Sequence, residues 1–251
     1  TGVAVWYAPG VNIHRSPYSG RNGEYFSEDA YITGIACGLA VQGMQEKGSV
    51  CFVKHFFLND QEDERHGIAT WANEQTIREC YLPAFEYTVT LGGGMGFMNS
   101  FNRIGMTWVG EHRGAQISML EDEWGFQGNI VTDMYEGDYQ DVVDGLLGGT
   151  TMWLSTSSNE YSYGLITSEP YRSDPVIVNA LVEAAHRMLY GSTRCAAMNG
   201  LSASTRVVAV TPWWQTALIA LDAALGVITL ACAAMLVLNI KKSRQNQVEV
   251  K

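Results

Sequence analysis

The chain is poor in basic residues and has no cysteine motif. Its 251 residues include 16 Lys and Arg against 26 Asp and Glu, a formal net charge of −10. No basic patch is visible along the sequence, so nucleic acid is a poor candidate partner. Five cysteines are widely spaced and never form a C-x-x-C pair, which argues against a zinc site or a disulfide framework. We therefore expect no metal, no other cofactor, and buried free thiols at Cys37, Cys51, Cys80, Cys195 and Cys232.

Proline is also scarce, at 6 residues, and charged residues make up only 17% of a chain that is 47% hydrophobic. This composition excludes disordered proteins, collagen-like repeats and disulfide-built miniproteins. The length allows one large domain or two small ones. The first residue is Thr1 and not Met, and a strand-like segment begins at once, so we expect the start of the parent protein to lie upstream.

One long hydrophobic run lies near the end of the chain. Residues 217–240 contain a single charge, Asp222, and a helix of this length would measure about 36 Å against a hydrocarbon core of about 30 Å. A tryptophan pair at 213–214 precedes the run, and three basic residues within 241–244 follow it. This order is typical of a transmembrane helix with a cytoplasmic tail. The alternative is a buried core helix.

Four regions are predicted on this basis. They are a barrel domain over residues 1–195, a linker with the interfacial tryptophan pair over 196–216, a transmembrane helix over 217–240, and a basic cytoplasmic tail over 241–251. The large N-terminal portion would then lie outside the cytoplasm. It is strongly acidic, so we expect few electrostatic contacts with an anionic membrane surface.

Short apolar runs alternate with amphipathic stretches before residue 190, a pattern typical of repeated βα units. Strands are predicted over residues 3–7, 50–53, 96–100, 129–132 and 150–154. Helices are predicted over residues 29–45, 73–87, 114–124, 139–147 and 176–190. About five units form part of a (β/α)8 TIM-type barrel whose first strands would lie upstream. The alternative is an open doubly wound sheet, although no G-x-G-x-x-G follows a predicted strand.

Polar residues collect where the predicted strands end. They are Lys54 and His55, then Asn99 and Asn102, then Asp133. In a βα barrel these strand ends converge on one mouth, where catalytic groups lie.

Asp133 is the best candidate nucleophile. A carboxylate held at a strand end can attack an anomeric carbon and form a glycosyl ester, provided that cations keep it ionised. Lys54 and Arg21 could supply that positive charge, and Lys54 and His55 could donate hydrogen bonds to sugar hydroxyls. The alternative for Arg21 is a structural ion pair with Glu24 or Glu28.

Four segments together resemble glycoside hydrolase family 3, the retaining exo-β-glycosidases that include many β-glucosidases. They read YAPGVNIHRSPYSGRNGEYFSED, VKHFFLNDQEDER, FMNSFN and EWGFQGNIVTD, in the family's order. The resemblance implies a TIM-type barrel and an oligosaccharide or β-glycoside substrate. It also implies that Asp133 is the nucleophile. The residues that would bind or pack beside the sugar are Arg21, Lys54, His55 and Met98. Supporting positions around them would be Glu24, Glu62 and Arg65.

The chain departs from the family pattern at two positions beside this site. Phe101 replaces a tyrosine whose hydroxyl touches the nucleophile in many relatives, and Met134 replaces a tryptophan that serves as a platform for the leaving group. The string after His55 resembles the glucosidase and xylosidase branch. In that branch the acid/base glutamate lies on a separate α/β-sandwich domain. We expect that domain upstream of Thr1, with Glu136 or Asp138 as alternative acids.

Two functions are consistent with these features. The first is a membrane-anchored, extracytoplasmic, retaining β-glucosidase-like enzyme of which this chain is the nucleophile-bearing part, inactive by itself. The second is a non-catalytic, membrane-anchored carbohydrate-binding or scaffolding module, suggested by Phe101, Met134 and the missing proton donor.

Overall fold

A computed structural model of the chain describes residues 4–135, 139–155, 167–199, 202, 204–206 and 208–249. The chain divides into two compact units, Thr1–Gly200 and Leu201–Lys251.

The first unit is built on a curled parallel sheet. The described residues form strands β1 (Val5–Trp6), β2 (Val50–Phe56), β3 (Ala69–Thr70), β4 (Gly96–Asn99), β5 (Arg103–Ile104), β6 (Thr107–Trp108), β7 (Asn129–Met134) and β8 (Met152–Leu154). The main sheet has the order β1-β2-β4-β7-β8, and every neighbouring pair is parallel. A smaller sheet has the order β3-β5-β6.

The strand order decides between the two predicted architectures. A doubly wound sheet reverses its strand order at a switch point, whereas a barrel adds each new strand on the same side. The main sheet follows chain order without reversal. The predicted barrel portion is therefore confirmed as a parallel half-barrel, and the doubly wound alternative is wrong.

The two faces of the sheet carry separate apolar clusters. Because side chains alternate along a strand, Val53, Phe97 and Ile130 face a large core on the helix side. Phe52 and Val131 belong to a second cluster on the inner side of the curl. Burial on both faces explains why these strands read as continuous apolar runs.

Helices cover the outer face of the half-barrel. The described residues of the first unit form helices α1 (Ala30–Glu46), α2 (Glu74–Thr76), α3 (Pro83–Thr90), α4 (Val142–Gly148) and α5 (Pro175–Ser192), together with π-helical segments at Ile77–Tyr81 and Gly114–Glu123.

Caps set two of the helix starts. Asp29 caps α1 by accepting from the N–H groups of Tyr31 and Ile32. Helix α4 starts later than the predicted residue 139 because the Asp141 side chain accepts from the second and third N–H groups of the helix.

Strand ends also differ from the sequence prediction. β7 continues to Met134, so Asp133 lies inside the strand and not after it, and β2 continues to Phe56. Both extensions arise from pairing with neighbouring strands, which no local pattern reports.

The prediction of five buried thiols is partly wrong. All five cysteines are free, and Cys37, Cys51 and Cys195 are buried, but Cys80 and Cys232 are exposed. Cys80 lies in the Ile77–Tyr81 segment, which has no buried residue. Cys232 lies on the apolar helix of the second unit.

The second unit contains one long helix, α6 (Trp213–Glu249). Within residues 213–242 of this helix, the most apolar stretch has a mean hydropathy of 2.3, and none of that stretch is buried. The helix is long and apolar enough to cross a membrane. The predicted span at 217–240 falls within it.

Candidate active site

Three of the sequence-predicted residues lie on the inner face of the half-barrel. Lys54 of β2 pairs in register with Met98 of β4, and Met98 pairs with Val131 of β7. Asp133 follows Val131 by two residues, so the side-chain alternation of a strand puts it on the same face. Met98 is buried in the inner apolar cluster. The carboxyl ends of β2, β4 and β7 therefore bring together a cation, an apolar wall and a carboxylate.

Asp133 is a partly desolvated carboxylate. Its side chain is 18% exposed, and Oδ1 accepts a hydrogen bond from the N–H of Met134 at 2.8 Å. Burial raises the pKa of Asp133 above its ordinary value. The Met134 N–H and three cations oppose that rise in pKa; the cations are Arg65, Arg21 and Lys54. The carboxylate thus lies in a positive field, which favours its ionised form.

His55 contacts this carboxylate as a neutral ring. Its Nε2 lies 3.4 Å from Oδ2 of Asp133, and its side chain is only 2% exposed. Burial holds the pKa of His55 well below its usual range, and the same three cations lower it further. Because the imidazole is neutral at pH 7, the contact is not an ion pair, and the charge of the Asp133 carboxylate is balanced by the three cations instead.

Asn12, in the segment between β1 and α1, holds the backbone of His55. Its Oδ1 accepts from the His55 N–H at 2.8 Å, and its Nδ2 donates to the His55 carbonyl at 3.1 Å. Sequence analysis missed this residue. The available signal was one polar residue between the buried apolar residues Val11 and Ile13.

Glu24 ties two of the cations together. It accepts from Arg21 Nε at 2.8 Å and Nη2 at 2.5 Å, and Lys54 Nζ lies 2.9 Å from its Oε1. Burial opposes ionisation, but the hydrogen bonds from Lys54 and Arg21 lower the pKa of Glu24 overall. Of the two partners considered for Arg21, Glu24 is the one that binds it; no described contact links Arg21 to Glu28.

Glu62 connects the third cation to the same network. Arg65 Nη1 donates to its Oε2 at 2.5 Å, and Asn59 Nδ2 donates to its Oε1 at 3.0 Å. Arg21 Nη1 lies 3.9 Å from that oxygen. The Arg65 guanidinium also lies over the ring of Phe101, 4.3 Å from its centroid. Phe101 therefore supports one cation of the network.

The two asparagines at the end of β4 serve the scaffold. Asn99 Nδ2 donates to Oγ1 of Thr150 at 2.9 Å, and that hydroxyl donates to the carbonyl of Gly110. Asn102 accepts from the Ser100 hydroxyl. The expectation that Asn99 is a mouth residue is wrong, because its amide is used in this buried network. The alternative acids Glu136 and Asp138 lie outside the described residues.

The arrangement favours an uncharged or anionic ligand over a metal ion. Within the described ranges, no group of three or more His, Cys, Asp or Glu side chains could hold a metal ion. The cations around Asp133 would repel a further cation. The site can instead offer several N–H donors to oxygen atoms beside one carboxylate.

Comparison with known proteins identifies the family. Residues 1–144, more than half of the chain, match the family described as the glycosyl hydrolase family 3 N terminal domain. The chain belongs to glycosyl hydrolase family 3. All the candidate site residues named above, from Arg21 to Asp133, fall within the matched part.

Relatives of this family 3 chain include β-glucosidases. It is 40% identical over 135 residues to a β-glucosidase of Rhizobium radiobacter, covering 53% of this chain and 16% of that protein. It is 33% identical over 187 residues to thermostable β-glucosidase B of Acetivibrio thermocellus, covering 74% of this chain and 24% of that protein. The chain therefore spans about a quarter or less of the length of these two relatives.

A solved family structure shares the fold. β-Glucosidase 3B from Thermotoga neapolitana, in complex with glucose, superposes with a TM-score of 0.72 at 29% identity. The superposition covers 79% of this chain and 28% of that one. The first unit is thus a family 3, β-glucosidase-like domain.

Proposed function

We propose that this chain is the nucleophile-bearing part of a retaining exo-β-glycosidase that acts on β-glucoside-like substrates. The observation that supports it most is the Asp133 carboxylate itself, held at the end of an inner strand within the field of Lys54, Arg21 and Arg65. The family membership and the β-glucosidase relatives support the substrate class.

The proposed reaction has two steps. An oxygen of Asp133 attacks the anomeric carbon, a C–O ester bond forms, and the glycosidic C–O bond breaks. The leaving oxygen takes a proton from an acid on another part of the parent protein. Water then attacks the anomeric carbon, gives its proton to the conjugate base of that acid, and releases the sugar and the free Asp133 carboxylate.

The surrounding residues bind and orient the sugar in this proposal. Lys54, Arg21 and His55 donate hydrogen bonds to its hydroxyls, and Met98 packs beside the ring. Glu24 holds the ends of Lys54 and Arg21 at fixed positions, so less side-chain entropy is lost when the sugar binds. The ion pair between Glu62 and Arg65 supports this arrangement.

The proposed mechanism also needs an acid/base residue, which we assign to another part of the parent protein. Retaining cleavage needs two carboxyl groups about 5–5.5 Å apart, and we place the second on an upstream sandwich domain. This chain alone should therefore show little or no turnover, since positioned acid–base catalysis contributes about 10²- to 10⁴-fold. An isolated chain that hydrolysed aryl glucosides at ordinary enzyme rates would contradict this.

The direct test is covalent trapping on the parent protein. A 2-fluoro glucoside should label it stoichiometrically, and peptide mapping should locate the label on Asp133. Asp133→Asn should remove labelling and reduce kcat by about 10³-fold or more, as loss of a covalent catalytic residue typically does. The control is Asp122→Asn, an exposed carboxylate on the Gly114–Glu123 segment. A label on another residue, or full activity of Asp133→Asn, would disprove the assignment.

We also propose that helix α6 anchors the protein in the cell membrane. Its length and hydropathy support a single span at 217–240, and the basic residues that follow the span support a cytoplasmic tail. The chain should stay in the membrane pellet after alkaline carbonate washing, and a variant that ends before residue 213 should not. Protease added outside intact cells should digest the barrel domain and spare a tag after residue 251.

The alternative is a carbohydrate-binding module without catalysis. Phe101 favours it, because its buried ring offers no hydroxyl to the nucleophile. This alternative predicts that the complete parent protein binds glucosides but neither hydrolyses them nor acquires the 2-fluoro glucoside label.

A further inference from the structure

Strand β2 presents two consecutive side chains to the candidate active site. In a regular strand, successive side chains point to opposite faces of the sheet. Lys54 lies on the inner face, yet the next residue, His55, also reaches Asp133 on that face. Val53 and Phe56 both belong to the core on the helix side, although they are three residues apart. The alternation of β2 is therefore interrupted at His55.

The interruption is a β-bulge. Lys54 pairs with Met98 of β4, and Phe56 pairs with the residue that follows Met98. His55 is thus an extra residue without a counterpart on β4, and such a residue stands outside the strand ladder with its side chain re-aimed. His55 is only 2% exposed, and buried backbone N–H and C=O groups need hydrogen-bond partners. The His55 backbone therefore needs a partner beyond the pairing of β2 with β4.

The side chain of Asn12 supplies that partner. The segment after β1 first pairs with β2 through its backbone. The Lys54 N–H donates to the carbonyl of Pro9 at 3.0 Å, and the Val11 N–H donates to the carbonyl of Lys54 at 2.8 Å. One residue further on, the Asn12 carboxamide accepts from the His55 N–H at 2.8 Å and donates to the His55 carbonyl at 3.1 Å. A single side chain thus continues the ladder past the bulge.

Asn12 affects the site only through His55. It is 3% exposed, so it is too buried to contact a sugar itself. The His55 ring makes no hydrogen bond at Nδ1 within the described part of the chain, although that atom is buried, and its Nε2 faces the Asp133 carboxylate at 3.4 Å. The direction of the ring therefore depends on the backbone that Asn12 holds.

We propose that Asn12 is a positioning residue, whose carboxamide holds the β2 bulge that turns His55 towards Asp133 beside Lys54. This inference rests on the proposed glycosidase function and deepens it, because His55 is one of the residues proposed to bind the sugar. Without the carboxamide, the two backbone groups of His55 lose their partner, and the ring moves away from the carboxylate. A displacement of about 1 Å can lower activity about 100-fold.

The experiment is a double-mutant cycle on the parent enzyme, with an aryl β-glucoside as the substrate. Asn12→Ala should lower kcat/KM about 10- to 100-fold, and His55→Ala should lower it as well. In the His55→Ala background, Asn12→Ala should cause less than about a twofold further loss, because the effects of residues that act through one contact do not add. Asn12→Leu fills the same space without either hydrogen bond. It should give the same result, and it keeps the cycle measurable if Asn12→Ala fails to fold.

Asn129→Ala is the matched control. Asn129 is also a buried asparagine, and its side chain accepts from the Thr151 hydroxyl at 2.8 Å and donates to Sδ of Met152 at 3.0 Å. It is the first residue of β7 and so lies at the other end of that strand from Asp133. Asn129→Ala should lower the melting temperature and leave kcat/KM close to that of wild type.

Three results would overturn the proposal. Equal losses from Asn12→Ala in the two backgrounds would show that Asn12 does not act through His55. A folded Asn12→Leu variant with the kcat/KM of wild type would show that β2 holds the bulge by itself, while the glycosidase function stands. A wild-type parent inactive on aryl β-glucosides would refute the proposed function, and this inference with it.

Discussion

Glu24 offers a sharp test of the electrostatics of the site. Its carboxylate accepts two hydrogen bonds from Arg21 and lies 2.9 Å from Lys54 Nζ. Glu24→Gln keeps the shape of the side chain and removes the charge. Two cations then lose the group that holds them, and they remain close to each other near Asp133.

The magnitude follows from the geometry and the exposure. Charge-assisted hydrogen bonds contribute about 1.5–3 kcal/mol when they are well shielded. The Glu24 side chain is 32% exposed, so screening reduces each pair towards the roughly 0–1 kcal/mol of surface ion pairs. For two partners, we expect Glu24→Gln to lower the free energy of unfolding by about 1–2 kcal/mol at pH 7. In the parent enzyme, the looser Lys54 and Arg21 should raise KM for glucosides.

The sign of the pH dependence is also determined. The folded-state pKa of Glu24 lies below the ordinary value of 4.5, so its contribution to stability is present above that value. It is lost as the pH falls through the lowered folded-state pKa. The free energy of unfolding of wild type should therefore exceed that of Glu24→Gln by the whole expected amount at pH 7, and the two values should become equal in strong acid.

The assay is urea unfolding of the full chain in detergent, at pH 7 and in acid, with and without 1 M NaCl. Glu28→Gln is the matched control, because Glu28 is an exposed carboxylate four residues away with no ion pair among the described contacts of the first unit. It should change stability by less than about 0.5 kcal/mol. High salt should reduce the Glu24 effect. Equal stabilities of the two variants would refute the proposed role of Glu24.

Three further predictions test other parts of the structure. Maleimide should modify exposed Cys80 within minutes in the folded chain, whereas Cys37 and Cys51 should react only after unfolding, because burial raises the pKa of each thiol to about 12. Gly149→Ala should lower the melting temperature, since Gly149 ends α4 with a φ of 116° that costs other residues about 1 kcal/mol or more; equal melting curves would contradict this. Asp133→Asn should leave stability at pH 7 unchanged or higher, because burial raises the pKa of this carboxyl and its charge is destabilising in the folded state; a clear loss of stability would show that the charge is structurally needed.

Local sequence features were sufficient for the architecture. Strand and helix periods repeat within short windows, so the βα units and the family strings between Tyr7 and Asp133 could be identified without coordinates. The same strings identified Lys54, His55 and Asp133 as candidate site residues, and the fold brings these residues to one end of the half-barrel. These properties depend on residues that are neighbours in the chain.

Contacts between distant residues were decided only by the tertiary structure. Sheet register and loop conformation bring Glu24 to Lys54 and Asn12 to His55. No periodic pattern in the sequence predicts either contact. Register also put Asp133 inside β7. Asn99 illustrates the same limit, because its position at a strand end fitted the mouth, yet its amide bonds to Thr150, 51 residues away. The sequence by itself thus determined the family, the fold class and the candidate nucleophile, whereas folding determined which partners tune them, because those partners meet only when separate strands pair.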